Sequence, residues 1–438
     1  AGFGRNAAVT AATGVTARRA PTDALPYRNV QFDGHPLDGP ITLELQDAEG
    51  IWRDLPLERI WLLAIIDVDC RAVLGYHVSV ETNYTADDVL ECVGNALTAW
   101  TPMTLPSPKI RYPAGAGLPS GVIPGCTGRA WDTLSFDNHW AHLSVHVQEQ
   151  IIRTTRCQII TGRPGRPMAR PYIERFFGTW EELTLHRCPW TTGSSPADPR
   201  RTSPEKCAER YRVNLDDLLL ITDVSIAGYN AAAHAGMAGQ SPLERIRYFD
   251  DRPIIAPRRI PAFANGSLPL FERRFPAVIR GNERSGRRPH VQFLYATYRS
   301  ELLAQMIDSI GKPVTLIVNI KDLRTVRAFR DDGVEIGTLH ADPPWCYQPH
   351  SLRSRRAIAK LMRAGILRRE SQNPIGDFME YFQERARTTR RARNKLLAHA
   401  RNTKAVTETP PSSREMPTAE RAPPSPRGRI RVTKTTIL

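Results

Sequence analysis

Acidic residues follow apolar runs at three places in the chain, where they could bind a metal ion. Asp33 ends "VQFD", Asp67 ends "WLLAIID" and Asp137 ends "LSFD". The end of a buried strand is a usual position for a metal-binding carboxylate, and Mg²⁺ prefers hard oxygen ligands. Asp67 follows the longest of these apolar runs, so the elements around it must decide whether it is a ligand or a turn residue.

The composition favours a protein that meets a polyanion. Lys and Arg together number 60 against 45 Asp and Glu, a formal net charge of +15. Nucleic acid is the partner that this balance favours, although part of the charge could be only a solvated surface. No stretch approaches 18 uninterrupted apolar residues and nothing resembles a signal peptide, so we expect a cytoplasmic, nucleoid-associated bacterial protein.

Short apolar runs alternate with helical periodicity over the first half of the chain. Strands are predicted near 29–33, 61–67 and 72–80, followed by a helix over 85–100. The strand "DTLSF", a helix near 140–153, the strand "CQII" and a helix that carries Ile173, Phe176, Phe177 and Trp180 come next. This order is that of an RNase H-like fold, an α/β fold with a mixed sheet.

The rest of the chain changes character twice. Alternating runs such as "PVTLIVNI" predict a small β-barrel, and the residues after it are basic and helical, with a Pro-rich and Thr-rich end. The predicted organisation is an N-terminal fragment or linker over 1–26, an RNase H-like core with post-core helices over 27–250, a linker over 251–275, a small β-barrel over 276–345, a basic helical segment over 346–400 and a disordered basic tail over 401–438.

Counting strands separates Asp33 from Asp67. An RNase H-like sheet carries its first acidic residue on strand one, within an antiparallel unit of three strands. If Asp67 were that residue, only 72–80 would remain before the helix, and the unit could not form. Taking "NVQFDGHPLDG" as strand one supplies all three strands and places Asp33 at the metal position. Asp67 then lies in a turn, where Asp is common.

Four stretches together resemble the DDE integrase and transposase superfamily. They are, in chain order, "VQFDGHPLDG", "LLAIIDVDCRAVLGYHVS", "LSFDNHWAH" and "GRPMARPYIERFFGTWEE". They are most similar to its Mu-type bacterial branch, which includes Tn-seven-like transposase subunits. In that family the phrase around Asp67 is structural. The 36 residues between Asp137 and Glu174 are close to the family's usual spacing, whereas the longer gap after Asp33 implies an insertion around 34–59 or 101–130.

The resemblance implies roles for three carboxylates. Asp33, Asp137 and Glu174 would hold two Mg²⁺ ions, for which Mn²⁺ could substitute. Two such ions activate the attacking oxygen and stabilise the leaving oxygen at phosphorus. Each carboxylate also has a structural alternative: Asp33 as a turn residue, Asp137 as a helix cap and Glu174 as a solvated helix charge.

Arginines in two loops are candidates for contacts with DNA phosphates. Arg163, Arg166 and Arg170 precede the Glu174 helix, and Arg284, Arg287 and Arg288 lie in "RSGRRPH". The alternative for the first group is a solvated loop. His139, His142 and His146 have partial zinc spacing without an evident fourth ligand, and His35 is predicted on the same side of its strand as Asp33.

The function that the resemblance implies is a DNA transposase, which cleaves 3′ ends and transfers the strand into target DNA. Its partners would be transposon ends and target DNA, further copies in a synaptic multimer, and an AAA+ ATPase that selects targets. Residues 385–438 carry 14 Lys and Arg against 3 Glu, which suits non-specific DNA binding. The alternative is a catalytically inactive DNA-binding or assembly protein derived from a transposase.

Overall fold

A computed structural model describes most of the chain with side chains. The described residues are 25–37, 42–46, 52–57, 59–106, 110–136, 145–161, 170–185, 215–252, 256–260 and 268–408. Their strands are β1 Asn29–Leu37, β2 Thr42–Gln46, β3 Trp52–Pro56, β4 Ile60–Asp67, β5 Val73–Ser79, β6 Thr133–Phe136, β7 Gln158–Thr161, β8 Glu272–Asn282, β9 Arg287–Phe293, β10 Ala296–Arg299, β11 Pro313–Asn319, β12 Thr325–Arg330 and β13 Glu335–Ala341. Their helices are α1 Ala86–Leu97, α2 Pro119–Val122, α3 Val145–Thr155, α4 Pro171–Leu183, α5 Leu215–Ala231, α6 Pro242–Asp250, α7 Glu301–Gln305, α8 Leu352–Arg363, α9 Pro374–Ala386 and α10 Arg390–Glu408.

Five strands form one mixed sheet in the order β5-β4-β1-β6-β7. β1 pairs antiparallel with β4, and β4 pairs antiparallel with β5. β6 runs parallel to β1, and β7 runs parallel to β6. In the sequence, a hairpin of β2 and β3 lies between β1 and β4 and forms a separate two-stranded sheet. An insertion therefore does follow Asp33. The predicted α/β class with a mixed sheet is confirmed.

The two faces of this sheet are covered by different helices. Val30 and Phe32 of β1 belong to a buried cluster with Val89 and Val93 of α1. Leu62, Ala64 and Ile66 of the neighbouring β4 belong to a second cluster that includes Ile173, Phe176 and Phe177 of α4. Because successive residues of a strand point to opposite faces, alternate residues of β1 and β4 face α1 or α4.

The strands after Pro269 close into a barrel in the order β10-β13-β12-β11-β8-β9. Val314, Leu316 and Val318 of β11 are buried, and they alternate with residues that are more exposed. This period of two is the sequence pattern from which a small β domain was expected. The prediction of a β-barrel is therefore confirmed, with α7 inserted between β10 and β11.

The C-terminal helices pack against the sheet rather than extending from it. The Asn394 side chain in α10 is buried, and its Nδ2 donates to the carbonyls of Arg59 at 2.8 Å and Val80 at 2.7 Å. Arg401 Nη1 donates to the Val78 carbonyl at 2.8 Å. These bonds satisfy one carbonyl just before β4 and two at the end of β5, an edge strand.

The prediction of disorder from residue 401 is wrong for its first residues. Helix α10 continues to Glu408. The residues 401–408 include no Pro or Gly, and the first helix-breaking residues are Pro410 and Pro411. The remaining part of the predicted tail, 409–438, lies outside the described residues. Among the helices of the described residues, none is long and apolar enough to span a membrane.

A buried arginine connects the barrel to α8. Arg355 is fully buried, and its guanidinium lies over the Trp345 ring at 3.7 Å. Its Nε donates to His350 Nε2 at 3.1 Å. His350 Nδ1 is 2.8 Å from the Gln348 carbonyl, so the proton belongs on Nδ1 and Nε2 is the acceptor. Burial and the adjacent Arg355 charge lower the pKa of His350 to about 4.

We expect acid to destabilise this connection. The pKa of His350 is lower in the folded chain than its unfolded value of 6.5, so its contribution is complete above pH 6.5 and is lost as the pH falls towards 4. The loss is at most about 3 kcal/mol. Urea unfolding measured across this range should show it, and His350→Gln should reduce the pH dependence because Gln accepts the same hydrogen bond without titrating. An unchanged slope in His350→Gln would contradict this assignment.

Candidate active site

Asp33 lies on the sheet face that α4 covers. It stands opposite Ala64 of β4, whereas Val30 stands opposite Asp67. Residues opposite each other in an antiparallel pair point to the same sheet face, and side chains alternate between the two faces along a strand. Asp33 lies three residues from Val30, so these two side chains point to opposite faces. Asp33 and Asp67 therefore point to opposite faces of the sheet, and Asp33 shares its face with the helix that carries Glu174.

The start of α4 is fixed to β1 by Gln31. The backbone N–H groups of Tyr172 and Ile173 donate to Gln31 Oε1 at 3.2 and 3.1 Å. The first N–H groups of a helix have no partner within the helix, so a side-chain oxygen from the sheet serves as their cap. Gln31 and Asp33 are two residues apart and share a face. The same bonds therefore bring the first turn of α4, which includes Glu174, towards the part of β1 that carries Asp33.

Arg170 forms a second connection at this junction. Its Nη1 is 3.1 Å from Asp33 Oδ1 and donates to the Phe32 carbonyl at 3.0 Å. Its own carbonyl accepts from the Glu174 N–H at 3.3 Å. Asp33 also accepts from the Gly34 N–H at 2.9 Å. The partly buried Asp33 carboxylate is thus paired with the Arg170 guanidinium, with which a metal ion would have to compete.

Asp67 is enclosed by backbone donors. It is fully buried, and its Oδ1 accepts from the N–H groups of Asp69 and Cys70, each at 2.8 Å. Its Oδ2 accepts from the Tyr27 N–H at 2.5 Å. Burial raises the pKa of Asp67, and the N–H bonds from Cys70 and Tyr27 act in the opposite direction. Asp67 therefore organises the turn after β4, as the strand count predicts.

The third expected carboxylate, Asp137, follows β6 in the sequence. Gln31 of β1 is in register with Ser135 of β6, and Phe136 is the last residue of β6. Asp137 follows Phe136 in the sequence but lies outside the described residues. Within the described part of the chain, no group of three or more His, Cys, Asp or Glu residues is arranged to hold a metal ion.

The same segment of the chain has a counterpart among known families. Residues 31–189 match the TnsB C-terminal domain. This TnsB match begins in β1, covers less than half of the chain and includes Asp33, Asp137 and Glu174. At a coarse level it supports the similarity to Tn-seven-like transposases that the sequence motifs indicate.

Two further comparisons add little to the TnsB match. One matching solved structure is described as the cryoEM structure of a simian T-cell lymphotropic virus intasome in complex with PP2A regulatory subunit B56 gamma. The identity is 12%, the match covers 73% of this chain and 81% of that chain, and the TM-score is 0.31, which is too low to infer a shared fold. No curated protein matches the chain.

The arginines expected to contact DNA have different positions. Arg170 is 8% exposed and bonded to the Phe32 carbonyl, so little of its surface faces solvent, and its contact with DNA stays a prediction. Arg163 and Arg166 lie outside the described residues. The three arginines in and next to the β8–β9 turn are exposed, as a role in DNA contact requires: Arg284 in the turn, and Arg287 and Arg288 at the start of β9.

The histidines near the carboxylates do not form a described metal site. His35 does lie on the Asp33 side of β1, where its ring stacks on Phe177 at 5.0 Å and its Nε2 is 3.0 Å from Glu181 Oε1. This is a packing role against α4. His139, His142 and the side chain of His146 lie outside the described residues.

Sequence reasoning missed the two residues that connect β1 to α4. Gln31 had a usable signal, since it is two residues from Asp33 on a predicted strand and must share its face. Arg170 had a weaker signal because the sequence shows only a basic residue in a Pro-rich and Gly-rich loop. The partner of such a residue is fixed by the fold and not by its neighbours in the chain.

We expect Asp67→Asn to destabilise the fold by about 2–3 kcal/mol. The asparagine oxygen could still accept two N–H groups, but its NH₂ group would face the Tyr27 N–H, leaving that donor without an acceptor. Chemical denaturation would measure the loss. Asp132→Asn is the control, because the Asp132 side chain is 55% exposed and its substitution should change stability by less than about 0.5 kcal/mol. Equal stability of both variants would contradict a structural role for Asp67.

Proposed function

We propose that this chain is a DNA transposase of the DDE type, which cleaves 3′ ends and transfers the strand to target DNA by metal-dependent polynucleotidyl transfer. One observation carries the proposal: α4, the helix with Glu174, covers the sheet face that carries Asp33. Gln31 and Arg170 connect the start of this helix to β1. The TnsB match over the same residues supports this reading.

The topology supports an RNase H-like core. Three antiparallel strands, β1, β4 and β5, precede α1, and two parallel strands separated by α3 follow on the other side of β1. α4 then packs on the face that carries Asp33. This succession agrees with the order expected of that fold, and it accommodates the β2–β3 hairpin as an insertion.

The carboxylates of Asp33 and Glu174 offer the oxygen ligands that Mg²⁺ and Mn²⁺ prefer. Asp33 is paired with the Arg170 cation, which a metal ion would have to displace, and Glu174 is exposed at the first turn of α4. Asp33, Asp137 and Glu174 would hold two ions. When bound, the ions would activate the attacking oxygen and stabilise the leaving oxygen of an in-line displacement at phosphorus.

The chain's own residues position these groups. Gln31 fixes the start of α4 and with it the backbone that carries Glu174. Arg170 orients the Asp33 carboxylate and reduces its charge, so metal binding would compete with this ion pair. The exposed Arg284, Arg287 and Arg288 would contact phosphates of the transposon end or the target.

We further propose that catalysis occurs in a synaptic multimer of this chain on transposon ends and target DNA, and that an AAA+ ATPase selects the target. The alternative is a catalytically inactive DNA-binding or assembly protein derived from a transposase. The Arg170–Asp33 ion pair favours this alternative, since a permanent guanidinium at Asp33 would exclude a metal ion.

A disintegration assay on branched DNA with Mg²⁺ or Mn²⁺ tests the proposal, because the preformed branch reduces the need for end recognition. We expect strand-transfer reversal by the unmodified chain and a loss of about a thousandfold in Asp33→Asn, Asp137→Asn and Glu174→Gln. Glu182→Gln is the matched control, an exposed carboxylate on the same helix, and it should remain active. Circular dichroism would verify folding.

Two outcomes would contradict the enzymatic proposal. Full activity in Glu174→Gln would exclude the assigned carboxylate set. An unmodified chain that binds the branched DNA and does not rejoin it would favour the inactive DNA-binding alternative.

A further inference from the structure

The turn between β9 and β10 has an unusual backbone for its sequence. Phe293 pairs with Ala296, so Leu294 and Tyr295 form a two-residue hairpin turn. Both have positive φ, 44° for Leu294 and 65° for Tyr295. Turns of this kind normally contain Asn and Gly, because other side chains are strained in the left-handed region. Two consecutive large residues at such positions therefore require an explanation.

Packing explains Leu294. Its side chain packs against the buried cluster of the barrel. Its carbonyl accepts from Arg355 Nη1 at 3.2 Å, and the Arg355 guanidinium is in turn fixed over the Trp345 ring. The fully buried Arg355 thus stabilises the conformation of the turn from the interior of the protein.

Packing does not explain Tyr295. Its side chain is 52% exposed. Among the described residues, no hydrogen bond or ring contact engages it. A residue in a strained conformation whose ring lies in solvent is typical of a contact with another molecule rather than of the fold.

Exposed cations lie on α8, the helix whose Arg355 holds this turn. Arg356 of α8 is exposed, and its guanidinium lies 6.0 Å from the Phe275 ring, which contacts the Phe293 ring at 4.8 Å. Lys360 and Arg363 are also exposed, four and seven residues further along α8. This spacing places all three cations on one face of the helix. Within the described residues, no carboxylate pairs with them.

We propose that Tyr295 stacks on a base of unpaired DNA while Arg356, Lys360 and Arg363 contact its phosphates. An exposed aromatic ring beside a row of cations is the combination by which proteins bind single-stranded DNA. Cations alone would suit duplex phosphates, and an aromatic ring alone would suit a protein partner, but the two together favour an unstacked strand. The inference rests on the proposed function only in taking DNA as the ligand.

The test is fluorescence anisotropy with labelled oligothymidylate in EDTA, compared with a blunt duplex of the same length. We expect Tyr295→Ala to weaken binding of the single strand about tenfold and Tyr295→Phe to leave it unchanged, because stacking needs the ring and not the hydroxyl. Duplex binding should change little. Tyr248→Ala, which removes another half-exposed tyrosine, is the matched control.

A second variant separates this contact from folding. Tyr295→Asn should raise the Tm by about 2 °C, since Asn tolerates positive φ, and should weaken single-strand binding as Tyr295→Ala does. Substituting Arg356, Lys360 or Arg363 by Gln should each reduce the slope of log affinity against log salt by about 0.7. Unchanged single-strand binding in Tyr295→Ala, or equal loss on duplex and single strand, would overturn the assignment.

This experiment is independent of catalysis. Asp33→Asn should bind oligothymidylate like the unmodified chain, because binding in EDTA requires no metal ion. Failure of the disintegration assay with Tyr295-dependent binding intact would exclude the enzymatic proposal alone. Normal disintegration with Tyr295-independent binding would exclude the stacking contact alone.

Discussion

The connection of α4 to β1 is the constraint on which the candidate site depends. Gln31 caps the first N–H groups of the helix, and Arg170, the residue just before the helix, forms an ion pair with Asp33. Neither contact is large in energy, since a helix cap contributes about 1 kcal/mol. Their effect is geometric. These bonds oppose rotation and sliding of the helix on the sheet, so the backbone that carries Glu174 is held near β1.

The opposite sheet face has a different task, and Asp67 belongs to it. Its carboxylate accepts from two N–H groups of the turn that joins β4 to β5 and from the Tyr27 N–H, and it is fully buried. A similar division recurs in the barrel, where the buried Arg355 supports a strained turn and its neighbour Arg356 remains exposed. In both places a buried polar residue satisfies backbone groups of a turn.

The order of elements was predictable from the sequence because it depends on local periodicity. The mixed sheet, the barrel and the exposure of Arg284, Arg287 and Arg288 follow from such patterns, and counting strands separates Asp33 from Asp67. The partner of Arg170 was not predictable, since residues 138 positions apart meet in the Arg170–Phe32 bond. The docking of α10 on β5 was not predictable for the same reason. Asn394 and Arg401 lie in a basic C-terminal stretch of the sequence, and the carbonyls of Val80 and Val78 that they bind are more than 300 residues away in the chain.

Binding of Mn²⁺ to the full chain, measured by calorimetry without DNA, tests the central claim most directly. The claim is that Asp33 and Glu174 belong to one metal site and that the Arg170 ion pair yields to the metal. It predicts that the unmodified chain and Glu182→Gln bind Mn²⁺, that folded Asp33→Asn and Glu174→Gln lose this binding, and that Arg170→Gln binds more tightly. Equal Mn²⁺ binding by the unmodified chain, Asp33→Asn and Glu174→Gln would contradict it.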